Sequence, residues 1–464
     1  MNLRLTTPGA TLLLLLCAAC GGSSDLATGT LPASSRSVAP VTVLRIPREG
    51  GQAHLYRVPT LDSAPWKPDE RLPPIDRVIG ADPEQGLVFV LDRKSNVVAL
   101  DLDTRRVRTF LENVRYATLG PDGALYAVDT ASAVTQLVRR TPVRFRSKLQ
   151  GKPAELHGTM NGALLARLAG NRPALEFLGS DQAPTSIPLP AGQVASTFLG
   201  DQVAVAADTA VIVYTPQDKS KPRVIPVEGD ARAVLFSPSG HRLYVARAGA
   251  PFLVLDRFEG TTLREIELPG PARALRGGLY GSWVLVQPES GDSVWVIDVG
   301  TGKYVGTTPT RWTDDLPAVA PPHTLLVRRG GDLMALDLAS KGLTPVGRVE
   351  GGAADFWLPL AWHPADAGEI PVETDSAGLA ADSGAGRPSV YLQVSSSQNP
   401  TWASELSERL RAAGLPASVL TPRRSDEAYR VVLGPYATRE QAEETGRRLG
   451  MPSFIVTAQD QSAQ

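Results

Sequence analysis

"ARAVLFSPSGHRLYVARAGAPFLVLDRFEGTTLREIEL", residues 231–268, decides the fold of most of this chain. Within it, ARAVLF, HRLYVAR and FLVLDR are short apolar runs rich in Val, Leu and aromatic residues, and LREIEL is a fourth, more polar run. The first two are separated by Ser-Pro-Ser-Gly, a proline and glycine turn, and the apolar residues alternate or run continuously between turn residues. A helical unit of the same length would instead space its apolar residues by three and four. Four successive strands joined by tight turns are therefore expected.

The same unit recurs along the chain. Comparable strands start at Gly86, Gly123, Gly162, Asp201, His241, Gly281 and Pro322, which are 37, 39, 39, 40, 40 and 41 residues apart. Each is preceded by a run such as VRYATLGPDG (114–123) and followed by a second apolar strand, for example VVALDL, VIVYTP or VWVIDV. Four strands per repeat of about 40 residues is the pattern of a β-propeller blade. Seven repeats are complete, and an eighth blade could be assembled from FWLPLAWHP near the end of the array and VTVLRIP with HLYRVP near its start. The repeat resembles the YVTN and quinoprotein-like propellers rather than WD40 repeats, because VWVIDVGTGKYVG (294–306) has the Asp, Thr, Gly turn without a Trp-Asp signature. The propeller is expected over 41–365. Asp101, Asp298 and Asp337 sit where a carboxylate can accept hydrogen bonds from turn amides, a structural role.

Composition narrows what such a disc could bind. The chain has 464 residues with 47 Lys and Arg against 48 Asp and Glu, so no net field attracts nucleic acid, and no nucleic-acid partner is expected. Residues 1–20 read as an export signal: Arg4 supplies a positive charge, Leu12–Leu16 is an apolar run too short to span a bilayer, and Ala18-Ala19 precede Cys20. LLLLLCAACGG also resembles a bacterial lipobox, with Cys17 where leucine is usual. That resemblance implies lipidation of Cys20 and a membrane attachment, and Gly21 after it implies the outer membrane. Residues 21–40 are small, polar and proline-punctuated, the composition of a flexible tether.

The propeller carries no obvious chemistry. Its candidate ligands are His54, His157, His241, His323 and His363, with no pair at metal-ligand spacing and no nucleophile motif. The adjacent acids Asp314 and Asp315 in TDDLP read as a solvated turn rather than a catalytic pair. No catalytic residue, metal or cofactor is expected, and the propeller is read as a scaffold for an unidentified protein partner.

A second domain follows. Residues 366–387 shift to Ala, Gly, Asp, Ser and Pro, a linker composition, and 388–458 read as β-α-β-β-α-β. SVYLQVS is a strand, and Asn399 and Pro400 open a helix with Trp402, Leu406 and Leu410 on one face, ending at Gly414. PASVLT and AYRVVLG are two further strands, Thr438-x-x-Gln441 caps a second helix, and SFIVTA closes the sheet. Two helices can cover only one face of a four-stranded sheet, so one face stays open. Strict alternation from the first strand puts Leu392, Val394, Val431, Leu433, Phe454 and Val456 under the helices and turns Tyr391, Gln393, Arg430, Val432 and Ile455 outward.

The elements YLQV, YRVVLGPY and TREQAEETGRRL resemble the SPOR domain. The resemblance implies binding to peptidoglycan, at glycan strands stripped of stem peptides, with Gln393, Ser396, Arg430 and Ile455 lining the groove and Tyr391 and Val432 beside them. Departures exist: Ser395 and Ser397 replace a glycine and an aromatic, and Ala428 replaces an aromatic seen in some members. The expectation is a non-enzymatic envelope lipoprotein that grips glycan, with the division septum, where stripped glycan accumulates, as a place for it to act. The competing expectation is a periplasmic propeller enzyme, a lyase or quinoprotein-type oxidoreductase, held at the wall by the same tail.

Overall fold

The structure, a computed structural model, describes residues 41–360 apart from 84, 139, 161, 182, 217–220, 239, 241, 258, 279–282, 321–322 and 340–341, then 362, 390–397, 400–412, 415–422, 429–438, 441–442, 445–446 and 454–457. The export signal over 1–20, Cys20, the tether over 21–40 and the linker over 366–387 lie outside the described residues.

Seven four-stranded antiparallel sheets follow one another along the chain, each built from four consecutive strands. An additional three-stranded sheet pairs Phe356–Leu360 with Thr42–Ile46, which pairs in turn with His54–Arg57. These are eight blades, and the eighth is made from both ends of the array. Blades are numbered one to seven from Ile75 onward, with the composite blade as eight. Its strand Phe356–Leu360 lies beside Ile75–Asp82 of blade one and Ala318–Ala320 of blade seven, which closes the circle.

Alternation within each strand explains why the blades stack. In Arg242–Arg247 of blade five, Leu243 and Val245 pack into a core shared with blade four, while Tyr244 and Ala246 pack into a core shared with blade six. Strands buried on both faces read as continuous apolar runs. Eight such cores fill the joints between neighbouring sheets, including those that flank the composite blade. Each buried Leu or Val contributes roughly 2 kcal/mol, so the joints hold the ring together.

Turns inside the blades follow one rule. In blades three, four and five the link from the innermost strand to the next runs Thr159–Gly162, Thr197–Gly200 and Ser237–Gly240, with the glycine N–H bonded to the carbonyl three residues back. Gly200 has φ +70°, and a Cβ there would stand 2.8 Å from Thr159 Cγ2 of the preceding blade. Only glycine fits that conformation and that approach. Asp101 and Asp298 hold their turns as expected, accepting from the Thr104 N–H at 2.8 Å and the Gly300 N–H at 2.9 Å, and Asp337 accepts from the Ala339 N–H at 2.9 Å.

The acidic pair in TDDLP departs from expectation. Asp314 is exposed, but the Asp315 side chain is only 10% exposed and takes a two-pronged bond from Arg328, at 3.1 and 2.6 Å, plus the Trp357 N–H at 2.8 Å. Asp315 is thus a buried tie between blades seven and eight, because the ring returns blade eight to its side.

The tail forms a four-stranded antiparallel sheet in the order Ala417–Leu420, Tyr429–Tyr436, Val390–Ser397, Phe454–Thr457. Helix α1 spans Pro400–Ala412, beginning at the predicted proline. The Asn399 cap, the side chain of Trp402 and the Gly414 stop lie outside the described residues. Thr438 accepts from the Gln441 N–H at 3.3 Å, while the Gln441 side-chain oxygen reaches back to the Ala437 N–H at 3.2 Å, one residue short of a full capping box.

Candidate functional site

The back of the tail sheet is closed. Ala403, Leu406 and Leu410 of α1 are wholly buried and share a core with Leu392, Val394, Val431, Leu433 and, from the second helical segment, Ala442. The front is set by strand register. Gln393 stands opposite Val432, which stands opposite Ser418, and Ser396 stands opposite Arg430, which stands opposite Leu420. Tyr391 stands opposite Val456. Paired residues in an antiparallel sheet share a face, so these rows make up the front.

Most of the front is accessible in part: Tyr391, Gln393, Ser418, Leu420, Arg430 and Val456 are all half-buried. Neither Gln393 nor Arg430 has a hydrogen-bond or ion-pair partner among the described residues. An amide and a guanidinium left unengaged beside hydroxyl and apolar groups suit a neutral, hydroxyl-rich polymer, which needs both donors and a flat apolar floor. The Tyr391 ring is seated against Gly434, where a Cβ would stand 3.1 Å from Tyr391 Cδ1. Glycine in GPY is therefore what lets the ring lie close to the sheet.

Two expected site residues are placed differently. Ile455 pairs with Leu392 and packs against the core under the helices, so it belongs to the back and Val456 to the front. The last strand carries no phase of its own in the sequence: its register with Val390–Gln393, regular throughout, sets Ile455 opposite Leu392 and so on the back. Val432 lies on the front row, opposite Gln393 and Ser418, but is 0% exposed. It can support a ligand's floor but presents no surface of its own. Ser418 and Leu420 were missed as front residues. The alternation of PASVLT carried that information once the strand's register was known.

Several titratable groups on the propeller are engaged by neighbours. On the innermost strand of blade three, Glu155 is held by Arg167 at 2.8 Å, with His157 Nε2 3.9 Å away, too long for a hydrogen bond. Burial alone would raise the Glu155 carboxyl, but His157 and Arg167 overturn this and pull it down to about 2. Burial raises the Asp122 carboxyl, even though Tyr126 donates to it at 2.8 Å. His54 and His323 stand on blades eight and seven, away from His157, while His241 and His363 lie outside the described residues. Among the described residues no group of three or more His, Cys, Asp or Glu is placed to hold a metal ion. A cavity of about 140 Å³ opens where blades four, five and six meet, lined by Ser196, Phe198, Leu235, Tyr244 and Trp283. It is small beside the ~300–1,000 Å³ of ordinary ligand pockets.

Residues 386–457 match the family model of the SPOR domain. No curated protein matches the chain. Among solved structures, apo AztD from Citrobacter koseri is similar at 11% identity and TM-score 0.48, over 69% of this chain and 98% of that one. The dihydro-heme d1 dehydrogenase NirN in complex with DHE is similar at 14% identity and TM-score 0.46, over 68% of this chain and 73% of that one.

Proposed function

Because residues 386–457 form a SPOR domain, we propose that this protein is a non-enzymatic lipoprotein of the bacterial cell envelope that grips stripped glycan strands of peptidoglycan through the front of its tail sheet. The observation that carries this reading is the pairing of Gln393 and Arg430 side chains, which have no partner among the described residues, with a sheet whose other face is closed by α1 and Ala442. Family membership of the tail supports peptidoglycan association, and the front supplies groups suited to sugar hydroxyls.

In this reading Cys20 carries the lipid, the outer membrane holds the protein on its periplasmic face, and the propeller presents its surface to a protein partner. Enrichment at the division septum follows if stripped glycan collects there. The propeller serves as scaffold, in keeping with Asp315 and Glu155 being committed to Arg328 and Arg167.

The test is sedimentation of residues 21–464 with purified sacculi. Gln393→Ala together with Arg430→Ala is expected to weaken binding by about tenfold or more, given a typical 1–3 kcal/mol for hydrogen bonds to charged or buried groups. Unchanged sedimentation of the double variant would defeat the proposal. Cys20→Ala should move the protein out of the membrane fraction without changing sacculus binding.

A further inference from the structure

The back of the tail domain meets the propeller through a matched set of charges. Arg409 of α1 donates from Nη2 to Asp201 Oδ1 at 2.8 Å and from Nε to the other carboxylate oxygen. Their side chains are 10% and 25% exposed, and Asp201 is steadied from its own side by the Thr197 hydroxyl at 2.6 Å. Four residues earlier on the helix, Glu405 accepts from Arg257 Nη2 at 2.7 Å, and that arginine is 6% exposed. Spacing of four places Glu405 and Arg409 on one side of the helix.

Apolar contact surrounds these pairs. Leu199, in the same blade-four turn as Thr197, is 4% exposed and belongs to the tail's own core with Ala403, Leu406, Leu410 and Ala442. Met160 of blade three and Phe198 of blade four pack against that core as well. In blade five, a Cβ on Gly240 would stand 3.0 Å from Arg409 Nη2, so glycine leaves the arginine its place. Three consecutive turns of the propeller thus receive one face of the tail.

The charge order specifies a single seating. The propeller offers Arg257 and Asp201, the helix offers Glu405 and Arg409, and each meets its opposite. Exchanging the partners would set Arg257 against Arg409 and Asp201 against Glu405, in surroundings poor in water, where like charges are most costly. The pairs are partly buried, with Glu405 34% and Asp201 25% exposed, so mismatching them would cost more than the matched pairs add.

We propose that the turns of blades three to five are a permanent dock for the tail domain, which they hold by its helical back in one orientation. Propeller and tail then move as one body, and Tyr391, Gln393 and Arg430 on the front of the tail sheet stay partly accessible while docked. The dock stands on the ion pairs and the shared core. Only its consequence for glycan rests on the function proposed above.

Hydrogen exchange of residues 21–464 tests the dock directly, read in 197–201 and 400–412. Asp201→Arg and Arg409→Asp, singly, are expected to speed exchange in both segments by about tenfold or more, and the two together to restore protection. Asp201→Asn, which removes charge without bulk, should act in the same direction and guards against simple misfolding of the reversals. Unchanged exchange in all single variants, or no recovery in the exchanged pair, would overturn the dock. Sacculus binding by the single variants should remain within about threefold of the unaltered chain, because the front is untouched. A larger change in either direction would overturn the statement that the docked front stays partly accessible. Absence of sacculus binding in the unaltered chain would instead defeat the glycan reading and leave the dock standing.

Discussion

Arg409 and Asp201, 208 residues apart in the chain, form a two-bonded guanidinium–carboxylate fork that ties the tail helix to the blade-four turn. Burial works to raise the Asp201 carboxyl, but Arg409 and the Thr197 hydroxyl more than reverse this and hold it below its ordinary 3.8. A depressed carboxylate contributes stability that is complete above its unfolded value and is lost as pH falls through its folded one. Exchange protection of α1 should therefore stay level from neutral pH to about 5 and decline below about 4. Protection that faded already between pH 7 and 6 would contradict this assignment.

Trp357 locks the composite blade. It is 1% exposed, its indole N–H donates to the Gly352 carbonyl at 3.2 Å, and Arg45 lies over its ring at 5.5 Å. Trp357→Ala should cost about 3–5 kcal/mol in urea unfolding, whereas Val224→Ala, at a site 57% exposed, should stay within about 0.5.

The neighbours Asp314 and Asp315 should behave oppositely. Asp315→Ala leaves the Arg328 guanidinium and the Trp357 N–H without their carboxylate and should destabilise the propeller by about 3 kcal/mol. Asp314→Ala, on an exposed residue, should change stability by less than about 0.5 kcal/mol. Equal effects in thermal or urea unfolding would refute the tie between blades seven and eight.

Register separates core residues of the tail from those of the proposed glycan-binding front. Ile455→Ala should lower tail stability by about 1–2 kcal/mol, because the side chain packs under the helices. Gln393→Ala and Arg430→Ala should leave stability within about 0.5 kcal/mol and act on sacculus binding alone. Sedimentation and unfolding measured on the same three variants check the division.

Glu155 offers a second pH signature. With its carboxyl at about 2 in the folded protein, its pairing contributes fully above the ordinary carboxylate value and is lost as pH falls toward 2. Glu155→Gln should flatten the acid limb of stability between about pH 4.5 and 2 and leave the neutral region's pH dependence unchanged.

How much of this was legible in the sequence follows from the distance over which each feature is decided. Repeated runs such as HRLYVAR and VWVIDV carried the blades, and the apolar character of both strand faces followed from burial between neighbours. VTVLRIP and FWLPLAWHP carried the possibility of a composite blade, and pairing of Thr42 with Leu360 decided it. YRVVLGPY and TREQAEETGRRL carried the tail and its family. The placement of Ile455 was hidden because the phase of Phe454–Thr457 is set by which residue it meets across the sheet, Leu392, and the chain does not write that register locally.

The sequence by itself determined the local units: the strand and turn chemistry of each blade, the order of elements in the tail, and the residue types on the front of its sheet. Tertiary structure alone decided the eighth blade, the burial of Asp315, the face on which Ile455 lies, and the meeting of Arg409 with Asp201. Hydrophobic periodicity is written within a few residues and survives any rearrangement of the whole. Ion pairs and register depend on which distant segments come together, and a charged residue reads the same on the chain whether it ends in water or against an opposite charge.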